Sequence, residues 1–338
     1  MSITVIGAIL TTDTRSFVSV ATNQAVCIYS VAPFSVVRNR PGKVQIFDIF
    51  HNIFAIGDGA ELSLWDDLSK VPLATISFSR QIHALKVRAG RLLVVFQKTI
   101  LIYAIRPNLV KLAAFDISLN NYPVFDANDD ILAVCARKVG HIKLINLQCT
   151  CSLYLVPTDI CTCIPKVTAI IAAHASPIAS ISISPCAKLI ATASQTGTLI
   201  RVYRNTEKCF EFRRGVDSAV IYSLAFNSTS TKLCASSDKG TVHIFLLATK
   251  SKSVLSDTGQ LFNRQSALVG VPNFSKYFDS DWSFASISTS ATQKSRVGFM
   301  HDDSQVVMVT SDGGLFILGY DIQRGGKGEI ISYRSLGN

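Results

Sequence analysis

Short apolar runs of four to six residues, broken by small polar turns, recur along the whole chain. A run of this length that ends at glycine, serine, asparagine or aspartate is typical of a β-strand bounded by turns. Many runs occur in pairs joined by such a turn: 17–20 with 25–29, 53–56 with 62–66, 91–96 with 100–103, 131–135 with 140–144, and 306–310 with 313–317. The pattern predicts an all-β protein and excludes an alternation of strands with long helices.

A repeat is visible in two of these units. Residues 193–199 (Ala-Ser-Gln-Thr-Gly-Thr-Leu) align with residues 236–242 (Ser-Ser-Asp-Lys-Gly-Thr-Val), and Gly197 lies 43 positions before Gly240. A period of about 40–45 residues is typical of a four-stranded propeller blade. The weaker copies bring the count to about seven blades. We therefore expect one seven-bladed β-propeller domain over residues 1–338, with the C-terminal strand at 330–333 completing the first blade and closing the ring.

The sixth unit departs from this period. Gly240 and Gly314 lie 74 positions apart, which is 31 more than the repeat requires. The extra residues fall mainly in a segment at about 248–276, which is rich in serine and glycine and has scattered apolar residues. An insertion of this length in a compact domain is usually either functional or disordered.

Composition narrows the classes of partner. The chain of 338 residues is 48% hydrophobic and 17% charged, and its formal charge of +10 favours anionic partners such as phospholipid or nucleic acid. No apolar run approaches the roughly 18 residues of a membrane span, and no basic residue precedes the apolar start at 1–10. We expect a cytoplasmic protein whose membrane association is peripheral.

Nine cysteines in a long chain indicate a reducing compartment rather than a disulfide scaffold. Four of them form two Cys-x-Cys pairs, Cys149 with Cys151 and Cys161 with Cys163. Four thiolates could hold zinc, but zinc sites usually have two to four residues between paired ligands. We favour ordinary loop or strand-edge cysteines, with no metal and no cofactor.

Two adjacent arginines, Arg213 and Arg214, lie in the sequence Phe-Arg-Arg-Gly between the two aligned units. In an extended segment, successive side chains point to opposite faces, so the pair can serve two separate pockets. Guanidinium groups suit phosphate because they offer planar, permanently charged donors. The alternative is a solvated pair of arginines in a loop.

With this tetrapeptide between two blades, the chain resembles the PROPPIN family of β-propellers that bind polyphosphoinositides. The resemblance covers nearly the whole chain, and its motifs lie at residues 52–56, 64–68, 173–177, 191–194, 213–215, 236–245 and 276–284.

The resemblance implies two headgroup pockets on the propeller rim, one on each side of the arginine pair. The first would use Thr192, Ser194, Gly197, Thr198, Arg201 and Arg213. The second would use Arg214, Ser237, Thr241 and His243. Thr192 retains the hydroxyl of the serine that also occurs there in the family. Allowing one extra residue in the earlier unit aligns Arg201 with His243, and a β-bulge could absorb that residue.

The resemblance also assigns the long segment to the membrane, where the corresponding family loop enters the bilayer interface. Its apolar residues lie near basic ones, a mixture that suits an anionic interface. The predicted inserting residues are Leu261, Phe262, Leu268 and Val269. The alternative is a flexible insertion without this role.

The resemblance implies a phosphoinositide-binding peripheral adaptor, without catalysis, that recruits other proteins in autophagy and in endosomal or vacuolar traffic. Its ligands would be phosphatidylinositol 3-phosphate and phosphatidylinositol 3,5-bisphosphate. A WD-repeat scaffold that binds only proteins is the alternative. Nucleic-acid binding lacks a recognisable reading helix or aromatic strand motif. An enzyme is disfavoured because the common phosphate-loop, zinc-protease and hydrolase motifs do not occur.

Overall fold

A computed structural model describes residues 3–11, 16–22, 25–41, 44–88, 90–105, 108–118, 123–148, 163–247 and 281–336. Every regular element in these ranges is a β-strand, and the strands form six sheets. We number the sheets 1 to 6 in the chain order of their first strands. The paired apolar runs of the sequence all fall on strands, within two residues of the expected bounds.

Sheets 1 to 4 each contain four consecutive antiparallel strands. Sheet 1 contains β1 (Ile3–Thr11), β2 (Ser16–Thr22), β3 (Ala25–Ser30) and β4 (Ser35–Pro41). Sheet 2 contains β5 (Ile46–Phe50), β6 (Ile53–Asp58), β7 (Glu61–Asp66) and β8 (Val71–Ser77). Sheet 3 contains β9 (Ala84–Arg88), β10 (Arg91–Val95), β11 (Thr99–Ala104) and β12 (Val110–Asp116). Sheet 4 contains β13 (Phe125–Ala127), β14 (Ile131–Cys135), β15 (His141–Asn146) and β16 (Lys166–Ala172).

Sheets 5 and 6 are larger. Sheet 5 contains β17 (Ile178–Ile183), β18 (Leu189–Ser194), β19 (Leu199–Arg204), β20 (Glu207–Arg213) and, parallel to β20, the short β24 (Asp281–Trp282). Sheet 6 joins β21 (Ile221–Phe226), β22 (Lys232–Ser237), β23 (Thr241–Leu246) and β25 (Ala285–Ser288) to β26 (Ser295–Phe299), β27 (Gln305–Thr310), β28 (Gly314–Gly319) and β29 (Gly326–Ser335).

The prediction of seven four-stranded blades is therefore wrong, although the chain is an all-β propeller as expected. The described residues form four sheets of four strands, one of five and one of eight. The eight-stranded sheet arises because β25 pairs in parallel with the start of β29, at residues 326–328. Glycine at 325 and 328 permits this approach: a Cβ at Gly325 would lie 2.2 Å from the Phe284 carbonyl oxygen, and a Cβ at Gly328 would lie 2.6 Å from Ile287 Cγ1 on β25.

The predicted ring closure is also wrong. The C-terminal strand β29 pairs with β28 and β25, whereas sheet 1 takes all four of its strands from the N-terminal residues. The ring closes instead by packing of β26 against β1. The other first strands pack in chain order around the ring: β1 with β5, β5 with β9, β13 with β17, β17 with β21, and β21 with β26. Between β9 and β13 the links include an ion pair from Lys86 to Asp126 at 2.8 Å and a hydrogen bond from Arg88 Nε to the Ala127 carbonyl at 3.1 Å.

Successive side chains on each inner strand pack alternately into two hydrophobic cores, one on either side of the sheet. On β19, Ile200 and Val202 pack into the core shared with sheet 6, whereas Tyr203 packs into the core shared with sheet 4. On β23, Phe245 packs toward sheet 5 and Val242 toward the next strands of sheet 6. The alternation fixes which seam each polar side chain can reach.

One main-chain hydrogen bond recurs from sheet to sheet. The residue that follows the outer strand donates its N–H to a carbonyl in the turn before the third strand. Instances are Phe78 to Ala60, Ile117 to Lys98, Ala173 to Gly140, Arg214 to Thr198, Thr289 to Gly240 and Leu336 to Gly313, at 2.8 to 3.0 Å. This bond holds the end of each outer strand against the neighbouring turn.

The extra residue of the earlier repeat unit lies in a turn and not in a β-bulge. Four residues, 195–198, connect β18 to β19, and three, 238–240, connect β22 to β23. Both strand pairs run without a register shift. Arg201 lies opposite Thr192 and His243 opposite Ala235, so Arg201 and His243 occupy equivalent positions, as the alignment predicted.

We expect Gly197→Ala to destabilise the protein far more than Gly59→Ala. Both glycines have positive φ, 67° and 64° respectively. A Cβ at Gly197 would lie 1.7 Å from the Ala219 carbonyl oxygen, whereas a Cβ at Gly59 meets nothing within 4 Å. Gly59→Ala should cost about 1 kcal/mol from the backbone conformation alone, and Gly197→Ala more than about 3 kcal/mol.

The measurement is urea unfolding of both variants, compared through the midpoint at constant m-value. Equal losses of stability would show that the turn yields to the added methyl group.

Candidate anion-binding site

Strand alternation places the basic and hydroxyl residues of the first predicted pocket on one face of sheet 5. Thr192 lies opposite Arg201, and Arg201 lies opposite Glu211 on the outer strand. Arg213, two residues beyond Glu211, lies on the same face, while Phe212 packs into the core on the other side. Ser194 shares the face of Thr192, and Gly197 and Thr198 form the adjoining turn. We call this face, which looks toward sheet 4, site one.

Arg201 spans the seam between sheets 4 and 5. Its Nη1 donates to the Ala173 carbonyl oxygen at 2.7 Å, and its Nε donates to Glu211 Oε2, also at 2.7 Å. Tyr203 donates its hydroxyl to the same Ala173 carbonyl at 3.0 Å. The guanidinium is thus held in one orientation at the outer end of site one.

His174, from the end of sheet 4, completes site one and was not among the predicted residues. A 3.0 Å hydrogen bond joins its Nε2 to Thr192 Oγ1. Burial, together with the positive charge of Arg201, lowers the pKa of His174 to about 4. Thr192 is 0% exposed, so its hydroxyl lies beneath the surface of the site and orients His174 through this hydrogen bond.

Arg214 is held inside the protein. It is 7% exposed, its Nε donates to the Gly197 carbonyl at 3.0 Å, and its Nη2 donates to the Asp217 carbonyl. Burial lowers its pKa, against the opposing effect of Asp238 and Asp217. Of the two adjacent arginines, Arg214 fixes the turn that borders both predicted pockets, and Arg213 is the more exposed.

The second predicted pocket lies on the face of sheet 6 that looks toward sheet 5. Ser237, Thr241 and His243 share this face with Phe245, whose ring stacks on Phe212 with centroids 4.9 Å apart. Burial and then the charge of Arg214 lower the pKa of His243 to about 4. This electrostatic effect indicates that Arg214 lies near His243. We call this face site two.

Two residues that follow the long insertion also border the sites. Ser283 Oγ lies 3.2 Å from His243 Nδ1 in site two. Trp282, 41% exposed, is the parallel partner of Arg213 in site one. Neither residue belongs to the predicted sets. Both are separated from the arginine pair in sequence by the long insertion, so the local repeat could not indicate them. Residues 276–284 belong to the family motif, which was the one available signal for them.

Glu211 was also missed, and here a signal was present. It lies two residues before Arg213 on the same strand, so alternation alone puts it on the same face. Its Oε2 accepts hydrogen bonds from Arg201 and from Lys208 Nζ, the latter at 2.9 Å. Site one therefore contains a carboxylate among its cations.

Several expectations fall outside the described residues: the inserting residues Leu261, Phe262, Leu268 and Val269, and three of the four paired cysteines. Within the described ranges, no group of three histidine, cysteine or acidic residues is arranged to hold a metal. No described helix is long and apolar enough to cross a membrane.

A separate groove of about 620 Å³ lies on the last strands of sheet 6. Its lining comes from residues 304–305, 319–322, 327–329 and 331. None of the predicted site residues borders it. This groove is therefore distinct from sites one and two.

Comparison with known families decides what these sites belong to. The family model PROPPIN matches residues 69–337. The chain belongs to the PROPPIN family. The resemblance inferred from the arginine motif and its neighbours is thereby confirmed.

Relatives and solved structures agree. The chain is 31% identical to an SVP1-like protein 2 of Pichia angusta over 77% of this chain and 74% of that one. It is 28% identical to autophagy-related protein 18e of Arabidopsis thaliana over 91% and 82%. The fold is similar to Kluyveromyces lactis Hsv2, with TM-score 0.77, 20% identity and 98% and 99% coverage. It is also similar to a chain in the complex of KlAtg21 with the coiled-coil of AgAtg16, with TM-score 0.71, 20% identity and 99% coverage of both chains.

We expect His174 and His243 to make folding stability dependent on pH. Their folded-state pKa of about 4 lies below the ordinary 6.5, so the unfolded chain binds protons first as the pH falls. Stability is complete above about pH 6.5 and is lost progressively down to about pH 4, each histidine costing about 1 to 2 kcal/mol by pH 5.

Urea unfolding at about pH 7.5 and about pH 5 measures this loss. His174→Gln and His243→Gln should each lose less stability between the two conditions than the parent protein. His83→Gln, at an exposed histidine, is the control. If all three variants keep the parent's pH dependence, neither His174 nor His243 is responsible for it.

Proposed function

We propose that this PROPPIN binds the phosphorylated headgroups of phosphatidylinositol 3-phosphate and phosphatidylinositol 3,5-bisphosphate. It would do so as a peripheral membrane adaptor, without catalysis, in autophagy and in endosomal or vacuolar traffic. The observation that carries the proposal is the divergence of the arginine pair. Arg213 lies on the same face of sheet 5 as Arg201, in site one, while Arg214 is near enough to His243, in site two, for its charge to lower the pKa of that histidine.

Site one has the chemistry of a phosphate cradle. Arg213 and Arg201 supply permanent positive charge, and the hydroxyls of Ser194 and Thr198 with the main chain of the turn supply directional donors. The guanidinium of Arg201 is already oriented by the Ala173 carbonyl, so little conformational entropy remains to be lost when an anion binds.

Site two has a different balance. Arg214 is committed to two carbonyls, which leaves Ser237, Thr241 and a neutral His243 as the groups that would approach a headgroup. A neutral imidazole donates one hydrogen bond and carries no charge. We infer that site two recognises the shape of a headgroup and the positions of its hydroxyl groups, while the buried Arg214 contributes positive charge without contacting the headgroup.

The two sites would act together. A charge-assisted hydrogen bond nets only about 1.5–3 kcal/mol, so one headgroup pocket alone binds modestly. Two pockets on one rigid rim gain from effective concentration on a membrane, and an inserting loop at about 248–276 would add to that gain. The adaptor role would be completed by partner proteins, and the likeness to KlAtg21, solved with a coiled-coil of AgAtg16, supports a coiled-coil partner from autophagy.

One observation favours the alternative of a protein-binding scaffold. Arg214 satisfies its guanidinium with internal carbonyls, as a purely structural arginine would. The scaffold hypothesis predicts partner recruitment that does not depend on lipid. The proposal predicts that vesicle binding depends on Arg213.

We expect Arg213→Ala to weaken binding to vesicles containing phosphatidylinositol 3-phosphate by about tenfold or more, since it removes one charge-assisted contact. Co-sedimentation measures the effect. Arg204→Ala, which removes the same charge from an exposed position on β19, is the matched control and should leave binding within about twofold. Equal binding by both variants and the parent would support the scaffold alternative.

Arg214→Ala should behave differently, because it leaves the Gly197 and Asp217 carbonyls without their donor. We expect a loss of about 2 kcal/mol or more in the free energy of unfolding, together with weaker vesicle binding. Arg213→Ala should change stability by less than about 1 kcal/mol. Urea unfolding separates the two effects, and a fully stable Arg214→Ala variant would contradict the anchoring role.

A further inference from the structure

Glu211 sits where a bound phosphate would be expected to sit. Its Oε2 accepts hydrogen bonds from Arg201 Nε at 2.7 Å and from Lys208 Nζ at 2.9 Å. Its side chain is only 17% exposed, and it shares a strand face with Arg213. A carboxylate thus engages two of the cations that would otherwise attract an anion to site one.

The carboxylate stays ionised. Burial raises the pKa of Glu211, but the hydrogen bonds from Lys208 and Arg201 outweigh burial and hold the pKa below its ordinary value. Glu211 therefore carries one negative charge throughout the pH range of a cell. An anion that enters site one must displace this charge from Arg201 and Lys208 or share those cations with it.

The two kinds of phosphate on a membrane differ in charge. A phosphate monoester carries about 1.5 to 2 negative charges near pH 7, because its second pKa is near 6. The phosphodiester of an ordinary phospholipid carries about one, the same charge as the carboxylate of Glu211. Exchanging a carboxylate for an equal charge gains little Coulomb energy, whereas exchanging it for a larger charge gains more.

We propose that Glu211 is an internal competitor for the phosphate at site one. A phosphate monoester carries enough charge to compensate for displacing Glu211, whereas the singly charged phosphodiester of bulk phospholipid does not. The proposal rests on headgroup binding at site one. A merely structural role for Glu211 predicts the opposite result: if Glu211 only oriented Arg201, its removal would weaken binding to every anion. As a competitor, its removal strengthens binding to both kinds of phosphate.

The test compares Glu211→Gln with Glu207→Gln. Glu207 lies on the same strand, is exposed, and pairs in register with Arg204, so the control makes the same change in net charge. Binding is measured to vesicles containing phosphatidylinositol 3-phosphate and to vesicles in which phosphatidylserine supplies the same total charge. Glu211→Asp, which keeps the charge but shortens the side chain, is the second variant in case the glutamine does not fold.

We expect Glu211→Gln to bind phosphatidylinositol 3-phosphate vesicles about three- to tenfold more tightly. Binding to phosphatidylserine vesicles should rise by a similar factor, because both anions are relieved of the same displacement of Glu211. Glu211→Asp should shift both affinities in the same direction by less. The control should raise both by one common, small factor.

Three outcomes overturn the proposal. Weaker binding by Glu211→Gln would make Glu211 a positioning residue for Arg201. An increase in affinity no larger than that of Glu207→Gln would show that site one does not exchange anions with Glu211. If the parent protein does not prefer phosphoinositide vesicles at all, headgroup binding fails and the proposal fails with it. The first two outcomes leave headgroup binding intact.

Discussion

The site depends on one main-chain hydrogen bond, from the N–H of Arg214 to the carbonyl of Thr198 at 2.9 Å. It ties the end of β20 to the turn before β19 and so fixes which way Arg213 and Arg214 point. In sheets 3 and 4 the residue making this bond is Ile117 or Ala173, both buried. Arg214 thus places a cation at a position where the other instances of this bond have Phe78, Ile117, Ala173, Thr289 or Leu336, all of them uncharged. The carbonyls of Gly197 and Asp217 compensate for its desolvation.

The two arginines have different roles, and the charge of the rim does not depend on pH near neutrality. Arg213 lies toward the surface, while Arg214 fixes the turn and lowers the pKa of His243. Because the pKa of both His174 and His243 is about 4, both rings are neutral from pH 5 to 8. The attraction for phosphate at that rim therefore comes from guanidinium and ammonium groups, which keep their charge over that range.

The repeated pattern of strands and turns was enough to predict the strands and the equivalence of Arg201 with His243, and the arginine motif with its neighbouring motifs was enough to predict the family. All of these follow from local sequence. It could not predict that β29 joins sheet 6, since that choice depends on contacts at Gly328 between residues distant in sequence. His174 and Ser283 enter the sites from other sheets or from beyond the insertion, so local pattern could not supply them. Strand alternation could have predicted that Glu211 lies on the face of Arg213. It was missed because a search for residue types that bind phosphate does not include carboxylates.

A cation at the repeated position does not by itself make an anion site, and the local charge balance explains the difference. Lys143 is the equivalent of Arg201 in sheet 4, where it donates to the Asp116 carbonyl while Arg137 pairs with the Asp116 carboxylate. Site two sets Arg214 against Asp217 and Asp238. At site one, Arg201 and Lys208 share the carboxylate of Glu211, and Arg213 lies on the same face. Two cations thus share one carboxylate there, and of these three positions we expect site one to attract a phosphate most strongly.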